Sequence, residues 1–107
     1  MIKEVCKRIE DLQGEYLNIW KEFCDIESLS ADKEGVDKAT DYIVDIAKKL
    51  GFETEYSYQK VSGNVVCITL NPQAKGTPVC FSGHVDTVHE KGLFGYPPTK
   101  IYSFNIF

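Results

Sequence analysis

Between Leu50 and Phe52 the hydrophobic period of this chain changes from that of a helix to that of a strand, and this change sets the class of fold open to it. Upstream, Val36, Ala39, Ile43, Ile46, Ala47 and Leu50 recur at steps that put them on one side of a helix. The ends of that helix are punctuated. Ser30 is placed to cap its N-terminus, and Asp32 and Glu34 stand in the first turn, where the helix dipole favours acids. Lys48 and Lys49 occupy the last turn, and Gly51 follows as a residue able to take the left-handed conformation that closes a helix. Downstream, Phe52, Thr54, Tyr56 and Tyr58 alternate with Glu53, Glu55, Ser57 and Gln59, which describes a strand with one wet face.

The flanking segments extend the pattern. Ile2, Val5, Cys6, Ile9, Leu12, Tyr16, Trp20 and Phe23 predict one long amphipathic helix ending between Cys24 and Glu27. Gly14 falls inside it at a cost of about 1 kcal/mol against alanine. Ser62-Gly63-Asn64 is turn chemistry. Val65 to Leu70 is almost continuously apolar, as expected of a strand covered on both faces. Val79 to Asp86 reads as a third, central strand running into a polar end, and from Gly92 onward Gly95, Pro97 and Pro98 mark an irregular segment. The expected fold class is α/β: two N-terminal helices packed on a partial mixed sheet made of a hairpin plus a third strand.

Composition removes several function classes. A chain of 107 residues makes one domain. It carries 12 Lys+Arg against 16 Asp+Glu, a net charge of −4, and so lacks the basic stripe of a nucleic-acid binder. No apolar run approaches the ~20 residues of a membrane span, and the charged N-terminus lacks the apolar core of a signal peptide. Cys6, Cys24, Cys67 and Cys80 form no Cys-x-x-Cys pair. In this context they are expected to be reduced core thiols of a cytoplasmic protein.

Chemistry concentrates in Phe81-Ser82-Gly83-His84-Val85-Asp86-Thr87-Val88. On a strand, His84 and Asp86 share a face with Cα atoms about 6.6 Å apart. The carboxylate can then hold one imidazole nitrogen, fix the tautomer and leave the other nitrogen basic enough to bind a metal. The same pair also describes a buried histidine satisfied by its neighbour, with no ligand. Other arrangements are poorer. Cys80 and His84 lie about 13 Å apart along a strand, too far to share one zinc ion. Ser82, His84 and Asp86 on one strand face do not make the directed chain of a hydrolytic triad. His89 reads as a surface histidine in a loop.

The segment Ser82-Gly83-His84-Val85-Asp86-Thr87-Val88 resembles the first metal-binding motif of the zinc-dependent aminoacylase/exopeptidase family, which includes glutamate carboxypeptidase, peptidase T, acetylornithine deacetylase and succinyl-diaminopimelate desuccinylase. Glu34-Gly35-Val36, Leu50-Gly51-Phe52-Glu53, Gly63-Asn64-Val65-Val66 and Phe94-Gly95-Tyr96-Pro97-Pro98 extend the resemblance over residues 1–100, leaving 101–107 as a divergent apolar tail. The resemblance implies an incomplete zinc-peptidase-like catalytic domain. His84 would be a ligand to one zinc of a dinuclear centre, and Asp86 the catalytic-site carboxylate orienting it. The complete family site hydrolyses a peptide or N-acyl amide bond by a metal-bound water, with a separate Glu as general base. After Asp86 this sequence has a single acidic residue, Glu90, so the bridging Asp, the Glu-Glu pair and the distant His of the family are missing. The expectation is an N-terminal fragment, inactive alone, whose substrate in the complete enzyme is a peptide or N-acyl amino acid. The alternative is a small non-catalytic interaction module, self-associating through an exposed strand edge or the apolar tail of Ile101, Tyr102, Phe104, Ile106 and Phe107.

Overall fold

The structure is a computed structural model and describes residues 1–90 and 92–93. Three helices precede a two-stranded antiparallel sheet: α1 Ile2–Asp11, α2 Gln13–Cys24, α3 Lys33–Lys49, β1 Glu53–Ser57 and β2 Val65–Thr69. Together they form a small α/β arrangement in which α3 packs against both strands and α2 packs against α3.

The core is centred on α3. Val36, Ala39, Val44 and Ala47 are its buried apolar side chains. Thr40 is buried among them because its hydroxyl donates to Val36 O at 3.0 Å and leaves no polar atom unpaired. The expected stripe is therefore correct at Val36, Ala39 and Ala47. Ile43 and Ile46 are only half-buried and Leu50 is exposed. A two-stranded sheet covers a narrow strip of helix, so the margins of the stripe stay wet. Helix α3 closes as the sequence indicates. Gly51 has φ +85°, Phe52 N–H donates to Ala47 O at 3.0 Å, and Gly51 N–H donates to Lys48 O at 3.0 Å. These are the paired bonds of a left-handed cap. At the other end Asp32, not Ser30, is the N-cap, and no side chain makes a capping bond.

The hairpin pairs Glu53 with Thr69 through to Ser57 with Val65. In β1 the alternation holds, with Thr54 and Tyr56 half-buried and Glu53, Glu55 and Ser57 exposed. The loop before β2 is latched to α3. Asn64 N–H donates to Asp37 Oδ1 at 2.7 Å, while Asn64 Oδ1 accepts from Gln59 N–H at 2.9 Å and Lys33 Nζ at 3.1 Å. Lys33 Nζ also reaches Asp37 Oδ2 at 2.7 Å. Gly63 lies so close to Val36 that a Cβ would overlap its Cγ1. Across the helices, Tyr42 donates to Glu22 Oε2 at 2.7 Å, which pushes its phenol up to about 12, and stacks on Phe23 with ring centroids 6.2 Å apart.

Four expectations are corrected. The first helix is two helices, interrupted at Leu12 with φ −96° and ψ 2°. Neither half buries a residue fully, so little tertiary packing holds one straight axis. Strand β2 is covered on one face only, because Val65 and Cys67 point to solvent. Val79 to Asp86 is not a strand, and the sheet is antiparallel rather than mixed. Among the described residues that segment finds no hydrogen-bonding strand edge, and Phe81 is 95% exposed. Finally, Cys6, Cys67 and Cys80 are exposed rather than core thiols, since the elements bearing them are covered on one side or not at all. The Phe94–Pro98 segment and the tail at 101–107 lie outside the described residues.

Candidate functional site

The chain crosses itself where residues 85–87 meet residues 28–30. Leu29 and Thr87 form a single parallel bridge. Ser30 N–H donates to Thr87 O at 2.9 Å and Thr87 N–H to Ser28 O at 2.8 Å. Two serines on the same side of this short extended stretch reinforce it. Ser28 Oγ donates to Val85 O at 2.8 Å. The Ser30 hydroxyl proton lies between Asp86 Oδ2 at 2.5 Å and Thr87 O at 2.9 Å. Backbone and hydroxyl bonds together fix residues 85–87 without any sheet.

His84 stands at the edge of this clasp. Its Nδ1 lies 2.9 Å from Asp86 Oδ1 and 3.1 Å from the Asp86 carbonyl oxygen. Both neighbours are acceptors, so Nδ1 carries a proton and donates to them, and in the neutral ring the lone pair is then on Nε2. The imidazole is open to solvent, 82% exposed, against 39% for the Asp86 side chain. His84 is thus not the buried, satisfied histidine that the motif alone also permits. The Ser30 hydroxyl, and after it His84, hold the Asp86 carboxyl below the ordinary carboxylate value. Asp86 is therefore an anion gripped on both oxygens, one by the clasp and one by the imidazole.

Two hollows flank the pair. A cleft of about 830 Å³ runs between the loop after α2 and residues 84–90, lined among others by Ile26, Leu29, Asp32, His84, Thr87 and Val88. A smaller one of about 300 Å³ opens between Val36, Gly63, Asn64 and residues 83–86. Cys24 borders the larger cleft, and burial, with the Asp25 charge behind it, pushes its thiol pKa up. It is therefore held protonated and is no activated nucleophile. Among the described residues the only serine on this histidine–carboxylate pair, Ser30, donates to the carboxylate and not to the imidazole. Ser82 is exposed. Among the described residues no serine–histidine–aspartate relay forms.

A catalytic zinc ion needs three protein ligands. Among the described residues no group of three His, Cys, Asp or Glu side chains converges on one point. His84 supplies one donor with its second-sphere carboxylate, and the described residues by themselves do not fit a zinc centre. His89 is exposed and borders the same cleft. Sequence reasoning picked out His84 and Asp86 but missed Ser28 and Ser30, which stand more than fifty residues away from the pair they anchor. Their alternation in Ser28-Leu29-Ser30 was the available signal, and nothing local says what it faces. No family model, curated protein or solved structure matches the chain.

Proposed function

We propose that this chain carries the first metal-ligand segment of a zinc-dependent amidohydrolase or exopeptidase of the aminoacylase/exopeptidase type, and that alone it is not catalytic. The observation that supports this reading is the oriented imidazole. Asp86 accepts a hydrogen bond from His84 Nδ1–H, Ser30 fixes Asp86, and the exposed imidazole stands beside a cleft of substrate size. A histidine kept merely for packing has no use for that exposure. In this reading the missing donors and the general base are not supplied by the 107 residues, since Lys91 and residues 94–107 include no Asp, Glu, His or Cys, and they would belong to further residues of the complete enzyme. The substrate class is a peptide or N-acyl amino acid, and the setting is cytoplasmic.

Zinc titration of the chain, followed through imidazole nitrogen shifts, tests the reading. Zinc should move His84 Nε2 while Nδ1 stays protonated, with weak affinity and no hydrolysis of dipeptides or N-acyl amino acids. If His84 ignores zinc, the reading fails. Hydrolysis lost in His84→Ala would instead show that the chain is catalytic by itself. The exposed apolar residues Val79 and Phe81 favour the second reading, a non-catalytic interaction module. It is the one left standing if zinc leaves His84 unmoved.

A further inference from the structure

Gly35 stands in the first turn of α3, two residues after Lys33 opens the helix, and it is buried. Alanine is the better helix former, so a glycine there needs a reason outside the helix. The reason is what lies over it. A Cβ on Gly35 would overlap the carbonyl oxygen of Glu27 and come within 2.8 Å of Asp32 Oδ2. The missing side chain lets the loop after α2 lie directly on the start of α3. Local bonds hold the loop's descent into the helix: Asp32 N–H donates to Leu29 O at 2.7 Å, and Val36 N–H to Asp32 O at 3.1 Å.

The stretch that rests on Gly35 is also the one that carries the clasp. Ser28, next to Glu27, is 5% exposed and gives its hydroxyl to Val85 O. Ser28 O accepts from Thr87 N–H, and the Ser30 hydroxyl meets Asp86 Oδ2 and Thr87 O. Residues 27–30 are thus held by the first turn of α3 on one side and by residues 85–87 on the other. We propose that Gly35 is a positioning residue for His84. By admitting Glu27 against α3 it sets the place of Ser28 and Ser30, and through Asp86 it sets the direction of the imidazole. This rests on the reading of His84 as the working group of the site. A side chain at position 35 has to push Glu27 outward, because the obstacle is a backbone oxygen and not the flexible end of a side chain. The two serines move with it.

Long-range nitrogen–proton spectra of the full chain, taken without zinc at about pH 8 where the imidazole is neutral, test this. Gly35→Ala should lose the Nδ1–H preference of His84. Its Ser30 and Thr87 amides should exchange about tenfold faster, while those around Val44 hold. Ser30→Ala should repeat the His84 change, and Ser30→Thr, which keeps the hydroxyl, should not. Gly14→Ala controls for helix propensity, since a Cβ there meets nothing within 4 Å, and it should leave His84 and the clasp unchanged. The proposal is overturned if Gly35→Ala or Ser30→Ala keeps the Nδ1–H signature, or if Gly14→Ala loses it. Should Gly35→Ala not fold, native-state exchange in the unaltered chain decides. The Val36, Ser30 and Thr87 amides should open together with one urea dependence, and independent opening overturns the proposal. Because no zinc is present, an imidazole that ignores the metal in the earlier titration leaves these results standing.

Discussion

Asp86 shows how much a single side chain can be asked to do. One oxygen accepts from the Ser30 hydroxyl and the other from His84 Nδ1–H, so the carboxylate ties an exposed imidazole to a loop more than fifty residues away in the chain. Asp86→Ala should release that tautomer. Long-range nitrogen–proton spectra should then show His84 moving from Nδ1–H toward the Nε2–H form, and an unchanged tautomer would mean that Asp86 does not set it. Gly63 is the residue-scale constraint on the hairpin. A methyl group there would run into Val36, which is itself buried. Gly63→Ala should cost about 2 kcal/mol in urea denaturation, as overpacking does elsewhere. The His-x-Asp pair and the glycine are both visible in the sequence. What each touches is not, because Ser30 and Val36 are distant in the chain.

At the level of elements, α3 and the hairpin are joined by the Lys33–Asp37–Asn64 latch. The Lys33 ammonium, and after it the Asn64 amide, lower the Asp37 pKa below its ordinary 3.8. A carboxyl depressed in the folded state adds stability that is complete above its unfolded pKa and is lost as pH falls through the folded one. Acid should therefore loosen the loop before β2 below about pH 4. Faster hydrogen exchange at Asn64 would report it, and Asp37→Asn should remove that pH dependence. The helix-to-strand change at Gly51 was legible, and its left-handed φ is what the sequence indicated. Gly51→Ala should cost about 1 kcal/mol by thermal melting, from backbone strain alone. The third strand was misread. Val79-Cys80-Phe81 has the composition of a strand, but a strand exists only where another edge accepts its hydrogen bonds.

Across the whole molecule, burial is confined to the layer between α3 and the hairpin, and α1 lies outside it. Hydrogen exchange should be slowest in α3 around Val44 and fastest in α1, and Val44→Ala should cost about 2 kcal/mol. Equal protection in α1 and α3 would contradict this distribution. The sequence by itself determined the type of α3 and β1, the glycine that ends the helix, and the pairing of His84 with Asp86. All of these are set by neighbours within a few residues, through periodicity and backbone geometry. The tertiary structure alone decided which side of α3 is driest, that β2 has one wet face, that residues 79–84 join no strand among the described residues, and that two serines anchor residues 85–87. Each of these depends on what surface a distant segment brings into contact, and local pattern carries no record of that.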